Sequence, residues 1–95
     1  MEKYFDNLDD LADWAASNDI DVISIDAHKC MSMNGGIRYG LSCIAKKHTS
    51  QRLLHGRFNS NKFSDPHLID AEAEKLESAL RRIGFDVDRP DPLPV

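Results

Sequence analysis

Long hydrophobic runs are absent. No stretch approaches the roughly 18 apolar residues that a membrane-spanning helix needs, and the opening MEKYFDNLDD is too acidic and polar for a secretory signal peptide. A cytoplasmic protein without a membrane partner is the expectation. Cysteine is scarce: Cys30 and Cys43 are too few for the disulfide framework of a small secreted domain and read as reduced thiols. A zinc site takes about four ligands at paired close spacings, whereas His28-Lys29-Cys30 brings together only His28 and Cys30. No metal and no cofactor are expected.

The most telling absence is of acid in the middle of the chain. Residues 1–27 carry eight acids against Lys3, residues 28–62 carry seven Lys and Arg and no acid, and the remainder carries eight acids against four bases. The three segments sum as −7, +7 and −4 to the net charge of −4. Such segregation points to a docking surface in the basic middle. Arg38 and Lys46 are expected on the polar face of a sheet, and Lys47, His48 and Arg52 at the turn that follows. Arg57 and Lys62 extend the patch. The bland alternative is that the acidic helices lie alongside and neutralise it.

Periodicity supplies the elements. In NLDDLADWAASN, Leu8, Leu11, Ala12 and Ala15 recur at helical spacing, with Asp6 or Asn7 as N-cap, Asn18 as a left-handed stop and Trp14 at the margin of the apolar face. DPHLIDAEAEKLESALRRIG reads as a second helix, capped by Asp65 and Pro66 and closed by Gly84. Its apolar stripe is Ile69, Ala73, Leu76, Leu80 and Ile83, flanked by Leu68 and Ala79. RLLHGRF reads as a strand with Leu54 and Phe58 on one side, and Phe85 and Val87 suggest a short extended segment. RPDPLPV, with three prolines, cannot continue a helix or fill a central strand.

Between these, the period changes to two. Ile23, Ile25, Ala27, Met31 and Met33 alternate with polar residues, and after Asn34-Gly35-Gly36 the same parity returns in Ile37, Tyr39, Leu41, Cys43 and Ala45. A three-residue loop with a left-handed glycine keeps apolar opposite apolar, pairing Met33 with Ile37, Met31 with Tyr39 and Ala27 with Cys43. Cys30 then lies on the polar face and Cys43 on the apolar one, which excludes a disulfide or a shared metal between them. The methionines fall on the core side. The fold class expected is α+β in the order helix-strand-strand-strand-helix: a three-stranded antiparallel sheet with two helices packed on one face, and the other face wet. Residues 1–88 form the single α+β domain and 89–95 a Pro-rich extended tail.

That order resembles double-stranded-RNA-binding domains, and the resemblance implies a lysine cluster at the start of the last helix. Here that position reads DPHLIDAEAE, whose acids would repel a duplex. Catalysis by Cys30 with His28 as base and Asp26 behind it is conceivable on one strand face, but a flat sheet lacks a water-excluding cavity and oxyanion donors, so no catalytic residue is assigned. The function expected is a small non-enzymatic protein-binding module, monomer or homodimer, that docks through its basic sheet and loop surface. Chains of this size and kind are common among stoichiometric inhibitors encoded by phages and mobile elements, including those that block bacterial immunity complexes. The alternative is nucleic-acid binding through residues 38–62, disfavoured by net acidity and by Tyr39 and Phe58 falling on the buried side.

Overall fold

Local signals place the two helices. In the computed structural model, which describes residues 2–31, 33 and 35–89, Asn7 caps helix α1 (Leu8–Ser17) by accepting the Asp10 backbone N–H at 2.9 Å. The stop falls one residue later than the sequence suggests: Asn18 has φ −108, and Asp19, at φ 58, makes the left-handed turn. Helix α2 (His67–Ile83) has Pro66 at its N-cap, one residue after the expected Asp65, whose carboxylate still accepts the His67 N–H at 2.9 Å. It ends at Gly84, whose φ of 118 lets its N–H reach the Leu80 and Arg81 carbonyls. Ile69, Ala73, Leu76 and Leu80 are buried as the stripe demands, but Ile83 is 53% exposed, past the edge of the sheet it was expected to cover.

The sheet has five strands, not three, and is mixed rather than antiparallel. They are β1 (Glu2–Phe5), β2 (Val22–Met31), β3 (Ile37–His48), β4 (Leu53–Asn59) and β5 (Asp86–Asp88), in the spatial order β1-β4-β3-β2-β5. The antiparallel centre β2-β3-β4 carries a parallel strand on each side, β1 on β4 and β5 on β2. The class is α+β, and the order shared with double-stranded-RNA-binding domains disappears. A parallel neighbour needs a crossover connection, and the helices are those crossovers: α1 carries the chain from β1 over β4 and β3 to β2, and α2 carries it from β4 over β3 and β2 to β5. Both steps run the same way along the sheet. The right-handed crossover rule therefore sends both helices to the same face, where Leu11, Ala15 and Leu80 close over Ile23, Ile25, Leu41, Cys43 and Ala45.

Register differs from the expected hairpin by two residues. Met31 pairs with Ile37, Ala27 with Leu41 and Ile25 with Cys43, so the connection is longer than Asn34-Gly35-Gly36. Gly35 does take a positive φ of 80, while Asn34 lies outside the described residues. An even shift preserves which face each side chain takes, and it avoids setting Lys47 opposite Ile23 in the core layer. Met31 and Met33 are not core. They are 75% and 104% exposed, because the far end of the hairpin runs beyond the cover of the helices. Residues 90–95, most of the expected tail, lie outside the described residues; Arg89 sits against α2, its Nη1 3.3 Å from Glu77 Oε1.

β1 is held by an aromatic clamp. Phe5 and Trp14 meet at 5.8 Å between ring centroids, and Trp14 packs against Gly56 of β4, where a Cβ would come within 2.6 Å of Cζ3. Gly56→Val is expected to displace the indole and loosen β1, lowering stability by about 1–3 kcal/mol with a red shift of the single tryptophan's fluorescence. Leu80→Ala, at a position with no exposure, should lose roughly 2–5 kcal/mol in chemical denaturation.

Candidate functional site

Because both helices share one face, no helix among the described residues covers the other face of the sheet, which is called the bare face. Strand alternation and the register set its side chains in rows: Asp26, Ser42 and Asn59 in one, Ser24, Ile44, Arg57 and Tyr4 in the next, and His28 beside Gly40. This face is not the flat, wet surface expected. Ser42 and Ile44 are buried, Asp26 and His28 half-buried, and an open cavity of about 310 Å³ is lined by Asp26, His28, Ser42, Arg57, Asn59 and Lys62.

Backbone geometry builds this cavity. After β4 the chain is tied back to β3: Ser60 N–H donates to the Leu41 carbonyl at 2.8 Å, Ser60 Oγ accepts from Leu41 N–H at 3.0 Å, and Phe63 exchanges two 2.7 Å bonds with Tyr39. Lys62 is thereby delivered above Gly40. A Cβ on Gly40 would lie 3.0 Å from His28 Cε1 and 3.5 Å from Lys62 Cγ, so the glycine makes room for both side chains. Ser42 Oγ donates to Asn59 Oδ1 at 2.8 Å, which commits its proton to the amide rather than to the imidazole.

Charge around the cavity is unbalanced toward the positive. Arg57 Nη1 stands 3.8 Å from Glu2 Oε1, and its Nε is buried with no hydrogen-bond partner. Burial lowers the His28 pKa below 6.5, Lys62 and Arg57 lower it further, and Asp26 opposes them with the smallest influence. The imidazole is therefore neutral near neutral pH.

The seven basic residues singled out by sequence do not act as one patch. Arg57 and Lys62 meet in the cavity, and Arg38 and Lys46 stand exposed on the same face. Lys47 turns to the helix side, where its Nζ donates to the Asn18 carbonyl at 3.2 Å and complements the negative end of α1. His48 and Arg52 are exposed at the far end of β3 and the turn after it, Arg52 accepting Thr49 N–H and Oγ–H through its carbonyl. The helix acids lie on the opposite side of the sheet, and Glu77 pairs with Arg81 and Arg89 rather than with the basic middle. Sequence parity already placed Asp26, His28 and Ser42 together. Parity also put Gly40 on that side, and the β2-β3 register sets it beside His28; Asn59 carried no signal until β4 was set in register.

Among the described residues, no three His, Cys, Asp or Glu side chains converge as metal ligands, and no helix is long and apolar enough to cross a membrane. Both cysteines are free, Cys30 half-buried on the bare face and Cys43 buried under the helices. Burial pushes the Cys43 thiol up to about 12. A thiol reagent should therefore label native protein at Cys30 and reach Cys43 only after unfolding.

His28 predicts a pH effect. Its folded pKa lies below the unfolded value of 6.5, so the unfolded chain binds the proton first and stability is lost as pH falls from above 6.5 toward the folded pKa. Denaturation midpoints of the native protein and His28→Asn, compared across that window, should show a shallower acid loss in the variant. No family model matches the chain, and neither a curated protein nor a solved structure matches it, so its function is read from this face.

Proposed function

We propose that the chain is a non-catalytic module that binds another protein through the bare face of its sheet. One observation carries this reading: the charges of that face are interleaved rather than of one sign. Arg38, Lys46, Arg57 and Lys62 occupy the middle strands and the loop after β4, Glu2 stands at one edge, and Asp86 and Asp88 pair beside Val22 and Ser24 at the other. With Asp26 between them, the four cations meet an equal number of acids. A polyanion rewards a continuous basic surface, whereas a protein with an acidic centre and basic flanks matches a basic centre with acidic edges. Occupying a partner's own site in this way would make the chain a stoichiometric inhibitor, the mode common among small acidic proteins of phages and mobile elements.

Nucleic-acid binding through residues 38–62 is the rival, and one observation favours it. Tyr4, 62% exposed, stands in register with Arg57 and offers a ring for stacking. Withdrawal of Lys47 to the helix side and the acidic edges weigh against it.

Charge reversal separates these readings. Arg38→Glu with Lys46→Glu should abolish capture of a partner protein, while reversal of Asp9 and Asp13 on α1 leaves that capture intact. Equal loss in both variants, or a nucleic-acid shift that weakens steeply between low and moderate salt, overturns the protein-docking reading.

A further inference from the structure

We propose that the cavity bounded by Asp26, His28, Arg57, Asn59 and Lys62 is a binding site for inorganic phosphate, held by its charge and by its remaining proton. The site does not require a protein on the face and goes beyond the docking reading.

Unmet donors point to an anion. Arg57 Nε is buried without a partner, a state that native proteins avoid unless something else supplies the acceptor. The guanidinium reaches Glu2 only at 3.8 Å, too long for a good hydrogen bond. Asn59 accepts the Ser42 hydroxyl on Oδ1, which leaves its amide N–H groups to donate. Lys62 adds an ammonium from a side chain whose stem passes beside Gly40, where the absent Cβ makes room for it and for His28. Three kinds of donor, guanidinium, amide and ammonium, thus border about 310 Å³, room for a tetrahedral oxyanion with part of its water shell.

Asp26 decides which oxyanion. Its carboxylate lines the same cavity and would repel an anion without hydrogen, such as sulfate. Hydrogen phosphate keeps a P–OH near neutral pH, and that group donates to a carboxylate while the other oxygens accept from Arg57, Asn59, His28 and Lys62. The net charge of the lining, Arg57 and Lys62 against Asp26, is one positive charge. Protonation of His28 adds a second. The groups facing His28 are Asp26 on its own strand, Arg57 on β4 and Lys62 on the following loop, with Cys30 and its partner Arg38 next along the hairpin. Burial, then Lys62 and Arg57, lower the His28 pKa against Asp26; a bound anion offsets the two cations, so binding moves the His28 pKa upward.

The test is an NMR titration of the His28 ring with inorganic phosphate at constant ionic strength, repeated with sulfate and with O-phosphoserine. Saturable shifts with phosphate, an upward move of the His28 titration midpoint, and sulfate and O-phosphoserine both weaker by about tenfold are expected, the order of one hydrogen bond to a charged group. Lys62→Gln, at an exposed position that leaves the fold intact, should weaken phosphate by a similar factor. The near-isosteric Asp26→Asn should erase the preference over sulfate. Equal response to phosphate and sulfate in the native protein, tighter binding of O-phosphoserine than of phosphate, absence of saturation, or indifference to Lys62→Gln each overturns the proposal.

Discussion

The fold depends on one-sided burial. Leu11 from α1 and Leu80 from α2, both without exposure, meet the odd-numbered side chains of β2 and β3, and Ile23, Leu41, Cys43 and Ala45 are sealed beneath them. Each large apolar side chain removed from water there contributes about 1.5–3 kcal/mol, and the described residues form no comparable apolar layer on the reverse of the sheet. The two crossovers enforce this arrangement, since each moves the chain in the same direction along the strand order and right-handed connections then leave no choice of side.

Function, on this view, is a consequence of what the helices leave bare. The uncovered face is polar yet not loose: Ser42 is locked to Asn59, the segment after β4 is stitched to β3, and Lys62 is carried over the sheet by backbone hydrogen bonds rather than by its own contacts. Two glycines on adjacent strands do opposite work. Gly56 yields its side-chain space to Trp14 on the helix side and so admits the edge strand β1, while Gly40 yields its space to His28 and Lys62 on the bare side and so admits the cavity. Neither has a positive φ; each is required by close approach.

Charge segregation along the chain becomes charge segregation in space, with exceptions that matter. Among the described residues no ion pair joins an acid of α1 or α2 to Arg38, Lys46, Arg57 or Lys62; Glu77 pairs with Arg81 and Arg89 instead. Lys47, by contrast, is recruited to the C-terminal end of α1, which has no basic residue of its own in its last turn. Edge strands β1 and β5 return acids to the bare face, and it is their presence that turns a basic patch into an interleaved one.

Much of this was legible without coordinates, and the boundary is physical. Helix ends were readable because capping is local: Asn7, Asp65 and Gly84 act on backbone within a turn of themselves. Strand parity was readable because alternation is local too, and it assigned Cys30, Asp26 and His28 to one side and Cys43 to the other. Parity specifies register only to within two residues, so the hairpin loop was misplaced and Met31 and Met33 were put in a core that does not extend to them. The sequence by itself determined the helices, the faces of the central strands and the basic middle. Only tertiary structure decided the edges and the site: β1, of four residues, is too short to show a period, and the extended segment suggested by Phe85 and Val87 becomes the edge strand β5 only by pairing with β2. They, like the meeting of Arg57, Asn59 and Lys62 with Asp26 and His28, exist only through pairings between residues far apart in the chain.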